Sequence, residues 1–168
     1  MHNIKSLLTA ILCTIASSIA LAQPYPNKPI KLIVGFAPGG AADYVARNVG
    51  VALGQALGQT IIIENKPGAG SSIAAEQVAK SAPDGYTLLI ASPSSISVNP
   101  ALNQKLGYKV SDLLPVSKLT SSPLVIAVNP NIGVTSTKDL IAKAKSNPGG
   151  LNYATSGNGS APHLGEIG

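Results

Sequence analysis

Three short apolar segments, at residues 29–36, 60–64 and 86–91, run continuously instead of alternating with polar residues. Strands buried on both faces of a parallel sheet have this pattern, so we interpret the three segments as parallel strands. Between the first two segments, apolar residues recur every three or four positions over 41–57. This spacing predicts an amphipathic helix, with Gly58 at its C-terminal end.

A second helix is predicted at residues 73–80, between the second and third strands, with Ser71 as its N-cap residue. The residues at 82–85 then form a turn. The resulting order of strand, helix, strand, helix, strand is that of βαβ units. Because such units have right-handed crossovers, the fold class is α/β with a parallel sheet flanked by helices.

The second half of the chain is less regular, and its elements are predicted from shorter patterns. A serine-rich loop at 92–107 leads into a short helix near 100–104, and a helix at 137–146 ends at an Asn-Pro-Gly-Gly turn. Three apolar segments predict further strands, at 113–119, 124–128 and 151–154. We expect residues 23–122 to form a first lobe and residues 123–168 the start of a second, incomplete lobe.

The first 22 residues have the pattern of a secretory signal peptide, with a basic start, an apolar stretch at 7–16 and small residues before a cleavage site after Ala22. The stretch is too short for a transmembrane anchor, which needs about 20 apolar residues. Cys13 lies inside it after a leucine, which disfavours lipid attachment. We therefore expect a periplasmic protein whose mature chain begins at Gln23.

The composition and charge of the chain exclude several classes of function. The chain has 12 Lys and Arg and 7 Asp and Glu, and loss of Lys5 with the signal peptide leaves a net charge of +4. The mature chain would contain no cysteine, which excludes disulfides and thiolate metal sites. It has no tryptophan and no basic cluster, so nucleic-acid binding is not expected. A weakly basic surface would attract an anion.

Two glycine-rich loops, at 35–43 and 156–163, follow predicted strands and precede predicted helices. Backbone amides at a helix start favour anions, and ligands of α/β sheets bind beyond the carboxyl ends of the strands. The alternative is that these glycines only form tight turns. Asp43 has two open roles as well, since it can cap the first helix or contact the ligand or its water.

Motifs of common enzymes are missing from the sequence. There is no P-loop, no nucleophile elbow and no HExxH, and Gly68-Ala69-Gly70 lacks the spacing of a dinucleotide site. His163, the single histidine of the mature chain, is interpreted as a helix-entry or ligand-shell residue rather than a general base. No catalytic residue, cofactor or metal ligand is predicted, although an α/β enzyme acting on a phosphorylated or carboxylated metabolite and a non-binding fragment remain the alternatives.

The sequence also resembles the receptors of tripartite tricarboxylate transporters, or Bug-type periplasmic solute-binding proteins, throughout the mature chain. The matching stretches are Tyr25-Pro26-x-Lys28-Pro29-Ile30, Gly35-Phe36-Ala37-Pro38-Gly39-Gly40-x-x-Asp43, Glu64-Asn65-Lys66-Pro67-Gly68-Ala69-Gly70, Pro83-Asp84-Gly85-Tyr86-Thr87-Leu88-Leu89 and Leu151-Asn152-Tyr153-Ala154-x-Ser156-Gly157.

The resemblance implies a monomeric, two-lobed receptor that closes on a small mono-, di- or tricarboxylate and presents it to a membrane permease. It further implies that the carboxylate is held by amides, hydroxyls and bridging waters of three loops. Carried over to this chain, the ligand-binding residues are Phe36, Gly39, Gly40, Asp43, Ser92, Ser156, Gly157, Ser160 and His163. Members of the family are roughly twice as long, so we interpret this sequence as an N-terminal portion.

Overall fold

The structure is a computed structural model and describes residues 24–103 and 105–163. Three parallel strands, β1 (Ile30–Val34), β2 (Ile61–Asn65) and β3 (Thr87–Ile90), form a sheet in the order β2-β1-β3. The α/β class and all three N-terminal strands are thereby confirmed. The signal peptide, its cleavage site after Ala22, Gln23 and Cys13 lie outside the described residues.

The central strand β1 is covered on both faces. Leu32 pairs with Ile63 of β2 and Leu88 of β3, and its face packs against Ala46 of the first helix. Ile33 points to the opposite face and is also completely buried. A strand buried on both sides gains most by being apolar at every position, which explains the continuous apolar pattern of this segment.

Helix α1 (Ala41–Leu57) matches the predicted helix and ends where Gly58 adopts a left-handed conformation, with φ of 63°. Two glycines let the helix approach the sheet closely. A Cβ atom on Gly50 would lie 3.1 Å from Ile63 Cδ1, and one on Gly54 would lie 3.1 Å from the Gln59 carbonyl oxygen. Larger residues at these positions would push the helix away from β2.

Helix α2 (Ser72–Ala79) confirms the second predicted helix, but the predicted side-chain cap is wrong. Ser71 occupies the N-cap position with φ of 74°, and its side chain makes no capping hydrogen bond. Instead, Asn99 of helix α3 (Asn99–Leu102) stabilises the preceding turn. Its Nδ2 donates to the Ala69 carbonyl at 3.0 Å and to Ser72 Oγ at 2.8 Å. The short helix predicted near 100–104 is thus present, while Gln104 lies outside the described residues.

The N-terminal edge of the sheet is tied together by a polar and aromatic cluster. The Lys28 ammonium lies 3.1 Å from Asp84 Oδ2 and 4.2 Å above the Tyr86 ring, and the Tyr25 hydroxyl donates to the Gly85 carbonyl at 2.9 Å. The Tyr86 amide and then Lys28 lower the pKa of Asp84. These residues therefore have a structural role, at the edge of the sheet remote from the glycine-rich loops.

Beyond residue 112 the longest regular element of the described residues is helix α4 (Thr137–Ser146), as predicted, and a short 3-10 helix (Pro130–Ile132) precedes it. The strands predicted at 113–119, 124–128 and 151–154 are wrong, because none of these segments pairs with another strand in the described part of the chain. Leu114 and Val125 are 89% and 82% exposed. An apolar segment becomes a strand only when a neighbour accepts its backbone hydrogen bonds, and the division into lobes near residue 122 stays a prediction.

Among residues 24–103 and 105–163, we find no helix that is both long and apolar enough to cross a bilayer.

Candidate functional site

The carboxyl ends of the three parallel strands lie at one edge of the sheet. Parallel connections are right-handed as a rule, and with the order β2-β1-β3 this rule places α1 and α2 on opposite faces of the sheet. The loop that leaves β2 must therefore pass over the end of β1 to reach α2. In open α/β sheets, ligands bind in the crevice at this edge, where strand order reverses.

A cavity of about 240 Å³ opens at this edge. That volume is below the range of roughly 300–1,000 Å³ typical of sites for drug-sized ligands, so the cavity suits a small molecule. Its walls come from the loop after β1, the loop between β2 and α2, and the loop at 156–158. The residues that line it are Gly35, Phe36, Ala37, Pro67, Gly68, Ala69, Gly70, Ser71, Ser156, Gly157 and Asn158.

Three residues of the predicted ligand set, Phe36, Ser156 and Gly157, line this cavity, and they come from both predicted glycine-rich loops. The structure therefore brings together the two loops that are 120 residues apart in sequence. The other predicted residues lie in the same loops or next to them without lining the cavity. They are Gly39, Gly40, Asp43, Ser92, Ser160 and His163.

Asp43 is buried and engaged by protein donors. Its carboxylate accepts hydrogen bonds from the Gly39 amide at 2.9 Å, from Arg47 Nε and Nη2 at 2.9 and 3.0 Å, and from Asn65 Nδ2 at 3.0 Å. Arg47 first, then Gly39 and Asn65, lower the pKa of Asp43 far below its usual range, although burial opposes them. The ionised carboxylate is thus neutralised by Arg47 and fixes the start of α1.

The amides of the first loop differ in availability. Gly39 donates to Asp43, whereas we find no acceptor for the Gly40 amide among the described residues. Gly40 is the N-cap residue of α1, is exposed and has φ of −81°. Of these two amides, that of Gly40 therefore remains free to donate a hydrogen bond. It lies at the N-terminus of α1, where the helix dipole is positive.

The loop at 156–163 is docked on the loop after β3. The Ala161 amide donates to Ser94 Oγ at 2.9 Å, and Ser160, which is completely buried, accepts from the His163 amide at 3.3 Å. Gly70 is required at this junction, since a Cβ atom there would collide with the Gly159 carbonyl. Ser160 and His163 therefore shape the loop that carries Ser156 and Gly157.

Ser92 and His163 have local surroundings of different kinds. The Ser92 amide donates to Ser95 Oγ at 3.2 Å, which closes a turn after β3. His163 Nδ1 is buried and has no partner within the described residues. In the same part of the chain we find no group of three or more His, Cys, Asp or Glu side chains that could hold a metal ion.

Several residues that organise the site were not predicted from the sequence. Asn65 joins the first loop to β2 by donating to both Asp43 and the Phe36 carbonyl, and Asn99 fixes the turn at 69–71. Ser71 lines the cavity itself. The sequence signal for this part of the site was the run from Gly68 to Gly70 before a helix. That run alone does not reveal the site, because the contacts that form it involve residues distant in sequence.

Solved structures that are similar to this parallel α/β sheet include periplasmic binding proteins. One of them, described as a periplasmic transporter, has a TM-score of 0.80 and 42% identity over 85% of this chain and 49% of its own. MatC from Rhodopseudomonas palustris with bound malate has a TM-score of 0.76 and 35% identity over 82% of this chain and 47% of its own.

Sequence comparison places the chain within one family of such proteins. The model of the tripartite tricarboxylate transporter family receptor matches residues 45–167. The chain therefore belongs to that family. BugT of Bordetella pertussis is 43% identical over 85% of this chain and 44% of BugT, and a UPF0065 protein of the same organism is 39% identical over 94% of this chain and 49% of that protein. The chain spans about half the length of these relatives.

Proposed function

We propose that the full-length gene product is a periplasmic receptor that binds a small carboxylate in the cavity at the strand ends. The observation that carries the proposal is the nature of the cavity wall. The described residues that line it carry no charged side chain and instead offer backbone amides of glycine-rich loops, two serine hydroxyls and the Asn158 amide. Such groups bind an anion by hydrogen bonding without a buried countercharge.

Two structural neighbours support the class of ligand. MatC of R. palustris was solved with malate, and a second R. palustris protein, with a TM-score of 0.70 and 32% identity to this chain, was solved with adipate. Both ligands are small dicarboxylates. We therefore place this protein's ligand in the same class, with its carboxylate held by the loops after β1 and at 156–158.

The family also supports a partner and a compartment. Receptors of this family serve tripartite tricarboxylate transporters, so the bound carboxylate is delivered to the membrane permease of such a system. We expect residues 1–22 to be removed during export, so that the intact mass of the exported protein corresponds to a chain that begins at Gln23. An uncleaved protein, or one carrying lipid on Cys13, would contradict this part of the proposal.

Binding without turnover separates a receptor from an enzyme. We expect the full-length protein to be stabilised against thermal unfolding by one or more members of a panel of mono-, di- and tricarboxylates that includes malate and adipate. The stabilising compound should be recovered unchanged after prolonged incubation. Consumption of the compound would favour the α/β enzyme, and absence of stabilisation by every member would contradict the receptor.

The Gly40 amide provides a test of the first loop. Proline fits the observed φ of −81° but has no N–H, whereas alanine keeps the amide at the same φ. If this amide donates to the ligand or to a water that holds it, Gly40→Pro weakens binding by about 10- to 150-fold and Gly40→Ala retains most of the affinity. Calorimetry on variants with matched melting temperatures should show this difference, and equal affinities would mean that Gly40 only shapes the turn.

A further inference from the structure

Ser71 adopts a backbone conformation that is unfavourable for its residue type. Its φ of 74° lies in the left-handed region, where any residue other than glycine is strained. The residue is completely buried at the start of α2, where the loop from β2 crosses over the end of β1. Strain of this kind persists at functional sites when the surrounding structure enforces it.

The end of β1 is adapted to the Ser71 side chain. Gly35 follows β1 directly, and a Cβ atom on Gly35 would overlap Ser71 Oγ and Cβ. Both residues line the cavity. Glycine at position 35 thus leaves the space that the hydroxymethyl group of Ser71 occupies, within a residue that lines the cavity.

The Ser71 hydroxyl has no hydrogen-bond partner among residues 24–103 and 105–163. The neighbouring buried hydroxyls differ, because Ser72 Oγ accepts from Asn99, Ser94 Oγ accepts from the Ala161 amide, and Ser160 Oγ accepts from the His163 amide. Buried polar groups in proteins are nearly always satisfied, so an unpartnered hydroxyl on a residue that lines a cavity indicates a ligand atom or a ligand-bound water as its partner.

We propose that Ser71 is a ligand-binding residue whose hydroxyl donates a hydrogen bond to a carboxylate oxygen of the molecule bound in this cavity. The inference rests on the proposed function and adds a contact from the loop between β2 and α2. A hydroxyl can donate and a carboxylate only accepts, and a hydrogen bond to a charged acceptor is stronger than one between neutral groups. The ligand would therefore satisfy a buried hydroxyl that the described part of the protein leaves unpaired.

The test compares Ser71→Ala and Ser71→Gly with a matched control, Ser81→Ala, in the full-length gene product. Both Ser71 variants remove the hydroxyl, and the glycine variant also relieves the strain at positive φ. Ser81 lies just beyond the other end of α2, and its hydroxyl donates to the Gln77 carbonyl at 2.8 Å. Affinity is measured by calorimetry with the carboxylate that stabilises the wild-type protein best, and melting temperature is measured without ligand.

We expect both Ser71 variants to bind about 10- to 150-fold more weakly, the loss of one hydrogen bond to a charged group. Their melting temperatures without ligand should be unchanged or higher, and highest for Ser71→Gly, because an unsatisfied buried hydroxyl is removed. Ser81→Ala should bind like the wild type. A residue with a purely structural role would not give weaker binding together with equal or greater stability.

Two results would overturn the inference. One is unchanged affinity in both Ser71 variants, and the other is a loss of affinity that accompanies a loss of stability, which would assign Ser71 to folding alone. These results leave the proposed function intact, since the wild-type protein still binds. If the wild-type protein binds no carboxylate of the panel, the proposed function fails and the role of Ser71 fails with it.

Discussion

The same kind of sequence pattern leads to different structures in residues 24–112 and in residues 113–163. In the first region, continuous apolar segments pair as β1, β2 and β3 and are covered by helices. In the second region, similar segments stay unpaired, and Leu114, Val116 and Val125 are more than 80% exposed. Apolar strands need a partner elsewhere in the fold, so the pattern alone does not decide whether they form.

Helix α4 in the second region shows what can form without such a partner. Ser136 Oγ accepts from the Asp139 amide at 3.1 Å, and the Thr135 hydroxyl donates to Asp139 Oδ2 at 3.1 Å. Lys143 donates to the Ile132 carbonyl. These contacts join residues at most 11 positions apart, so α4 is specified by its own sequence, whereas the strands of the same region are not.

The two regions should differ most in the loss of unfolding free energy when one leucine in each is truncated to alanine. Leu32→Ala removes a side chain that is 3% exposed at the centre of the core and should lower the free energy of unfolding by about 2–5 kcal/mol. Leu114→Ala removes one that is 89% exposed and should change it by less than about 0.5 kcal/mol. Urea denaturation measures both. Comparable losses would mean that Leu114 is buried in the folded protein and that the contrast between the regions is wrong.

An intermediate loss of stability is expected for Asp43→Asn, which leaves Arg47 without its partner at the start of α1. The melting temperature at pH 7 should fall by roughly 5 °C, because a buried carboxylate loses its ion pair with the partly exposed Arg47 and its charge-assisted hydrogen bonds. The pKa of Asp43 is lowered on folding, so its stabilisation is present above the ordinary aspartate pKa of about 4 and is lost as the pH falls through and below that value.

The pH dependence of the melting temperature distinguishes an ionised Asp43 paired with Arg47 from a side chain that only packs. Between pH 7 and pH 3 the melting temperature of Asp43→Asn should decline less than that of the wild type. Part of the decline should remain, since the pKa values of Asp84 and Asp139 are lowered too. Identical pH profiles in the two proteins would contradict the assignment of Asp43 to this ion pair.

The smallest effect is predicted for Ser136→Ala, which removes the side-chain cap of α4. Loss of such a cap costs about 1 kcal/mol of helix stability. Because the second region makes few contacts with the sheet, hydrogen exchange should become faster in α4 while the amides of β1 keep their protection. Faster exchange in both elements would show that the two regions unfold together.

The contrast between the two regions also explains which parts of the fold could be predicted from the sequence. The strands β1 to β3 and the helices α1, α2 and α4 were predicted from periodicity and glycine positions. Both glycine-rich loops line the cavity, although the strand expected before the second loop is absent from the described residues. The strands at 113–119, 124–128 and 151–154 were wrong because their pairing is not encoded locally. The side-chain cap by Ser71 was also wrong, because contact with Gly35 and the crossing of the loop over β1 set its conformation.

The site was predicted less completely than the fold. Phe36, Ser156 and Gly157 line the cavity, and the position of Gly39, Gly40 and Asp43 at the start of α1 agrees with the sequence pattern. Ser71, Asn65 and Asn99 were missed because each acts across 22 or more positions of sequence. Such contacts exist only once the β2-β1-β3 order is known.

The central claim is that the cavity between the loops after β1, after β2 and at 156–158 holds the carboxylate. Ala37 lines this cavity from an exposed loop position, so Ala37→Trp should fill it without disturbing the core, while Ala56→Trp places the same side chain at an exposed position near the far end of α1. Titration calorimetry of the full-length protein with its best carboxylate should show at least about 100-fold weaker binding for Ala37→Trp, a cost of about 2.7 kcal/mol, and wild-type binding for Ala56→Trp. Equal affinity of Ala37→Trp and the wild type would place the ligand elsewhere and contradict the account.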